Sequence, residues 1–170
     1  MAGLEHYSGD ILDLEAAASL ARTLQAEGRC IVFTNGCFDL LHVGHVDLLA
    51  RARMLGDCLF VGLNGDESVH LLKGPGRPVV AEQDRAAVLA SMRAVDVVVV
   101  FPELTAERLV AAIRPDIFVK GGDWDMGQKV APESAVVASY GGRVIYLPYQ
   151  AGRSTTRLLA QIRDDPSHPS

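Results

Sequence analysis

The chain has 170 residues, 49% of them hydrophobic and 22% charged, which is the balance of one globular domain able to bury a proper core. Its net charge of −5 argues against broad nucleic-acid binding, which needs a basic face, yet leaves room for a small phosphorylated substrate. No apolar run, Val97 to Phe101 included, is long enough to span a bilayer, and MAGLEHYSGD lacks the basic-then-apolar order of a signal peptide.

Asp13 to Glu27 carries Leu14, Ala17, Ala18, Ala21 and Leu24 at helical spacing, and Gly28 is a suitable stop. Ile31-Val32-Phe33 reads as a buried strand. It passes through Asn35-Gly36-Cys37 into a helix whose face is lined by Val46, Leu48, Leu49, Ala52 and Leu55. Leu59 to Asn64 is a second strand, and Gly65 to Ser68 a loop or helix start. Leu72 to Pro78, rich in glycine and proline, is expected to be an exposed, adjustable loop. Ala81 to Arg93 reads as a helix, and the valines from Val95 to Phe101 as a strand buried on both faces. Thr105 is placed to cap a helix that runs to Ile113. A fourth strand over Ile117 to Val119, a helix over Pro132 to Tyr140, a fifth strand over Val144 to Leu147 and a helix over Ser154 to Arg163 complete the series.

This alternation predicts an α/β, Rossmann-like doubly wound sheet of about five parallel strands with helices on both faces. A single domain over residues 1–163 and a disordered tail over 164–170 are expected. Cys30, Cys37 and Cys58 show no C-x-x-C spacing, which favours reduced thiols in a cytoplasmic protein over a disulfide framework.

The first strand-to-helix turn carries the chemistry. His42-Val43-Gly44-His45 puts two histidines three residues apart, so both can face one side of the first helical turn. Backbone N–H groups and the positive end of the helix dipole lie there as well, a setting that suits a polyanion. A metal site with Asp39 as third ligand is the other reading of the pair, but nothing else in the sequence completes it. Lys73 is either an ordinary solvated lysine or a mobile cation for a phosphate. Lys120-Gly121-Gly122-Asp123-Trp124 at the end of the fourth strand either lets the backbone approach a ligand or forms a plain turn. Gly152-Arg153-Ser154-Thr155-Thr156 reads first as a helix cap, and could also supply a second helix amino terminus to the same cleft. Phosphate-loop, dinucleotide and nucleophile-elbow motifs are absent.

Asn35-Gly36-Cys37-Phe38-Asp39-Leu40-Leu41-His42-Val43-Gly44-His45 resembles the signature of the cytidylyltransferase-like nucleotidyltransferases, and Gly152 to Thr156 their second signature. Within that superfamily, LKG-x-x-RPV from Leu72 to Val79, Ala94-Val95-Asp96 and Val119 to Asp123 are most similar to the D-glycero-β-D-manno-heptose 1-phosphate adenylyltransferases. In many bacteria that activity is fused to a sugar kinase, and this chain, too short to contain one, resembles the stand-alone form. Glycerol-3-phosphate cytidylyltransferases share both signatures, but Tyr149 stands where they carry an arginine, and Lys120-Gly121-Gly122 replaces a segment without the lysine.

The resemblance implies transfer of AMP from ATP, with Mg²⁺, to a sugar 1-phosphate. It assigns His42, His45, Lys73 and Ser154 to catalysis. Asn35, Gly36, Cys37, Phe38, Lys120, Gly121, Gly122, Asp123 and Thr155 would join the histidines and Ser154 around the nucleotide. Asp39, Asp66 and Arg85, with Lys73, would hold the acceptor. Asp96 matches the family without a defined role. A homodimer without nucleic-acid or membrane partners is expected, and a regulatory domain that binds nucleotide without turnover is the alternative class.

Overall fold

Apolar residues at every position of a strand can be buried only if both faces of its sheet are covered. The computed structural model, which describes residues 9–121 and 130–148, has this arrangement. Six parallel strands form one sheet in the order β1-β4-β3-β2-β5-β6. They are β1 (Asp10–Ile11), β2 (Ile31–Gly36), β3 (Cys58–Asn64), β4 (Val97–Phe101), β5 (Ile117–Gly121) and β6 (Arg143–Leu147). The helices between them are α1 (Leu14–Ala26), α2 (Val43–Arg53), α3 (Asp66–Lys73), α4 (Glu82–Ala90), α5 (Glu107–Ile113) and α6 (Ser134–Ser139).

The period of two along each strand sorts the core into two layers. Ile31, Phe33, Phe60, Val97 and Val99 point to the face covered by Ala17 and Ala21 of α1, Leu109 and Val110 of α5 and Val137 of α6. Val32, Leu59, Val61, Leu63 and Val98 point to the other, covered by Leu48 and Leu49 of α2 and Ala86 and Leu89 of α4. Phe33 lies opposite Phe60 on one side and Phe118 on the other, and β2 is the strand the sheet grows from in both directions. From β2 the chain moves outward to β3 and β4, then returns to lay β5 on the opposite flank. The strand order therefore reverses between β2 and β5, and the carboxyl ends of those two strands open the crevice in which such sheets bind ligands.

Several expectations are refined. A sixth strand, the two-residue β1, pairs with β4 and is too short to leave a sequence pattern. Asp13 caps α1, its side chain accepting from Ala16 N at 2.8 Å. Thr105 does not cap α5: its hydroxyl donates to the Glu107 carboxylate at 2.8 Å, and the Ala106 N–H is accepted by Glu133 instead. Lys73 is the last residue of α3, not part of a loop, and the helix ends at Gly74, whose φ of 86° suits glycine. Asp96 is at the amino end of β4, away from the crevice, where its carboxylate takes Leu59 N at 2.7 Å and Arg53 Nε at 3.0 Å. Gly122, Asp123, Trp124, Tyr149, the 152–156 motif with Ser154 and Thr155, the expected helix over 154–163 and the expected tail over 164–170 lie outside the described residues.

Candidate active site

The turn from β2 into α2 is built on one unusual residue. Phe38 has φ of 43°, in the left-handed region that side chains rarely enter, and it is buried with its ring 5.3 Å from that of His45. Gly36, two residues earlier, lets the Phe38 ring pack closely, because a Cβ there would come within 3.1 Å of it and the ring would have to shift. His42 then takes the N-cap position of α2, its Nδ1 accepting from Gly44 N at 3.1 Å. A neutral His42 must therefore carry its proton on Nε2, which fixes it as a donor on that side.

His45 is one turn along, and the two imidazoles stack with centroids 4.0 Å apart. Burial and the neighbouring His42 charge lower its pKa to about 4, so at neutral pH it is an uncharged ring. Its Nδ1 is buried without a hydrogen-bond partner among the described residues. Two of the first-turn N–H groups are already occupied, since the Gly44 N–H meets His42 Nδ1 and the His45 N–H turns back to His42 O at 2.9 Å. The capacity of this helix start to hold an anion thus rests on the two rings and the dipole more than on open N–H groups.

Two ion pairs, each with one wholly buried partner, hold the surroundings. Asp39, its side chain wholly buried, accepts from Val79 N at 2.8 Å, Val80 N at 3.0 Å and Arg77 Nε. Burial pushes its carboxyl up, but the bonds from Val80, Val79 and Arg77 outweigh that and hold it below the usual carboxylate range. Arg85 is also fully buried. It donates to Val80 O at 2.8 Å, Cys37 O at 2.6 Å, Asn64 O at 2.8 Å and the Asp66 carboxylate at 2.6 Å. One guanidinium thereby locks together the β2–α2 turn, the end of β3, the start of α3 and the entry to α4. Cys37 is half-buried above this lock. Burial pushes its thiol pKa up, against the charges of Lys73, Arg85 and Arg77, which converge near it.

On the other side of the crevice, Lys120 from β5 reaches across to Asn35 Oδ1 of β2 at 3.0 Å and to the Glu133 carboxylate at 3.4 Å. Burial lowers the lysine's pKa, and the charge and hydrogen bond of Glu133 offset part of that. Glu133 is 1% exposed and also accepts from Asn35 Nδ2 at 3.4 Å and Ala106 N at 3.1 Å. Gly121, next after Lys120, packs closely on α2, since a Cβ there would come within 2.6 Å of the Leu48 side chain and force it to move.

The structure thus brings Asn35, Gly36, Cys37, Phe38, His42, His45, Lys120 and Gly121 to the carboxyl ends of β2 and β5. Lys73 stands exposed at the end of α3, near enough for its charge to be felt at Cys37. Asp39, Asp66 and Arg85 are engaged with protein groups. Glu133 and Arg77 escaped the sequence reading. Glu133 carried no signal beyond an acid ahead of a helix, whereas Arg77 stood in a loop already marked by its glycines.

Residues 33–158 match the family described as Cytidylyltransferase-like. The chain belongs to that family. Its cytidylyltransferase-like domain is 48% identical over 162 residues to the Bifunctional protein HldE of Syntrophotalea carbinolica, covering 93% of this chain and 32% of that protein. The Bifunctional protein HldE of Caulobacter sp. (strain K31) is 51% identical over 152 residues, with 89% and 31% covered. The chain therefore spans about a third of the length of the curated relatives it matches. Among solved structures, the lipopolysaccharide core biosynthesis protein from Thermoplasma volcanium GSS1 has a TM-score of 0.59 at 26% identity, covering 72% of this chain and 98% of that one. Pantoate-beta-alanine ligase from Francisella tularensis, at 18% identity and a TM-score of 0.61 over 87% of this chain and 69% of that one, shares the fold. Among the described residues no helix is long and apolar enough to cross a membrane.

Proposed function

We propose that the protein transfers AMP from ATP to a sugar 1-phosphate, D-glycero-β-D-manno-heptose 1-phosphate, giving ADP-heptose and pyrophosphate. The observation that carries this reading is the stacked His42–His45 pair at the start of α2, beside the crevice where the strand order reverses. The similarity to the HldE proteins, and to a structure assigned to lipopolysaccharide core biosynthesis, supports a sugar acceptor.

The chemistry needs no general base. A phosphate monoester has a second pKa of about 6, so the acceptor is already largely dianionic at neutral pH. One of its oxygens attacks the α-phosphorus of ATP, a new P–O bond forms, and the bond from the α-phosphorus to the bridging oxygen breaks to release pyrophosphate. What the protein has to supply is alignment and stabilisation of the charge that builds on the leaving group. His42, with its Nε2–H directed by the cap bond, and neutral His45 donate to the phosphate oxygens. Lys73 supplies positive charge, Lys120, its charge held by Glu133, lines the nucleotide side, and Ser154 and Thr155 hold the far phosphates. Mg²⁺ would enter with the nucleotide: it is usually held by substrate phosphates and one or two carboxylates, and the described residues contain no group of three or more His, Cys, Asp or Glu able to hold a metal ion.

The test is pyrophosphate release from ATP in the presence and absence of heptose 1-phosphate. Release that depends on the sugar supports the reading. ATP binding without release, with any phosphorylated acceptor, contradicts it.

A further inference from the structure

The Arg85 guanidinium has none of its side chain exposed and spends four donors on Val80, Cys37, Asn64 and Asp66, so it has little left for a ligand. Arg77 is the reverse case. Its Nε is anchored on the buried Asp39 carboxylate, whereas Nη1 and Nη2 have no protein partner among the described residues, and 14% of the side chain remains open. The segment that carries it is held down as well. Val79 N and Val80 N bind the same carboxylate, and Arg77 O lies 3.3 Å from His70 Nδ1 at the end of α3. Gly74 and Gly76, with φ of 86° and 76°, turn the chain so that Lys73 and Arg77 flank one tight loop. The charges of both act on Cys37, at the floor of the turn that leads to His42.

We infer that Arg77 is the preorganised receptor for the phosphate of the acceptor, with Asp39 as its positioning residue. This rests on the proposed sugar 1-phosphate reading and assigns the acceptor phosphate to a residue outside those inferred from the sequence. A guanidinium fixed at Nε presents its two terminal nitrogens as a planar fork that matches two oxygens of a phosphate. Holding the fork in place before binding removes the ordering cost that a free arginine would meet. Lys73, exposed on the other side of the loop, supplies a mobile point charge to the same group. Asp39 thus acts on the substrate through Arg77, without touching it.

The experiment compares wild type, Arg77→Lys and Arg77→Ala in three measurements: thermal melting, KM for heptose 1-phosphate and for ATP, and calorimetric titration with inorganic phosphate. A lysine can pair with Asp39 or with the ligand but cannot fork between them. The expected result is an acceptor KM at least tenfold higher in both variants, an ATP KM within threefold of wild type, and an Arg77→Lys melting point close to wild type. Arg77→Lys with acceptor KM within twofold of wild type, or equal losses for ATP and acceptor, would overturn the inference. If wild type releases no pyrophosphate with the heptose, the proposed reaction falls and the phosphate titration judges Arg77 by itself. Weakening of at least tenfold in Arg77→Lys then supports the fork, and unchanged phosphate affinity overturns it.

Discussion

The Lys120 ammonium stands 3.0 Å from Asn35 Oδ1, joining the carboxyl ends of β5 and β2 at the point where the strand order reverses, with the Glu133 carboxylate behind both. An ammonium so buried depends on its counter-charge. Breaking a buried pair by removing one partner typically costs about 3–5 kcal/mol, because the other charge is left uncompensated.

Glu133→Gln keeps an oxygen for Ala106 N but removes that charge. We expect a loss of about 2–4 kcal/mol in urea unfolding at pH 7. The loss should shrink as pH rises, since Lys120, already shifted down by burial, loses its proton in the folded variant before it does in the unfolded chain. An equal penalty at pH 7 and pH 9 would contradict the pairing.

His45→Ala removes a donor beside the site of bond exchange while leaving the sheet untouched. Turnover should fall about a hundred- to a thousandfold, the usual worth of one such donor. Circular dichroism should give a melting curve near that of wild type. Near-normal turnover in a well-folded variant would take His45 out of the mechanism.

The depressed pKa of His45 also makes a stability prediction. The folded state holds the ring neutral down to about pH 4, whereas the unfolded chain protonates it near 6.5. Its contribution is therefore complete above pH 6.5, falls away on acidification, and is gone below about pH 4. His45→Gln cannot titrate, so its melting point should fall less than that of wild type between pH 7 and pH 5. Parallel curves would show that the ring is not held neutral.

Arg85→Lys tests the lock around the crevice. A lysine cannot serve Val80, Cys37, Asn64 and Asp66 together, so buried carbonyls lose their donors. The expected cost is about 3 kcal/mol or more in chemical denaturation, since each abandoned buried acceptor is worth about 1–3 kcal/mol. A variant as stable as wild type would contradict the structural role.

The main strands were legible because unbroken apolar runs leave few other options, and the H-x-G-H spacing marked the α2 start because a helical turn brings residues three apart to one face. What escaped depends on partners distant in sequence. Arg85 was placed with the acceptor by resemblance alone, and three of its four partners are backbone oxygens, which no sequence displays. Glu133 meets Lys120 across 13 residues and a change of element, and Asn35 across 98, so no local spacing marks it as the counter-charge of a buried lysine. Lys73 was expected in a loop because glycine and proline follow it closely. The helix reaches it because its start is secured, with Asp66 N donating to Glu82 at 2.7 Å and Ser68 Oγ to Gly65 O at 3.0 Å.

The most direct test of the proposed adenylyl transfer is kcat/KM for ATP and CTP, each with heptose 1-phosphate and with glycerol 3-phosphate. Lys120 and Gly121 lie at the edge of the crevice, where buried polar groups can reject a base that leaves them unpaired. We predict ATP over CTP by at least about a hundredfold with the heptose, equivalent to roughly 2–3 kcal/mol of lost pairing, and no appreciable use of glycerol 3-phosphate. Equal use of CTP, or a preference for glycerol 3-phosphate, would contradict the assignment.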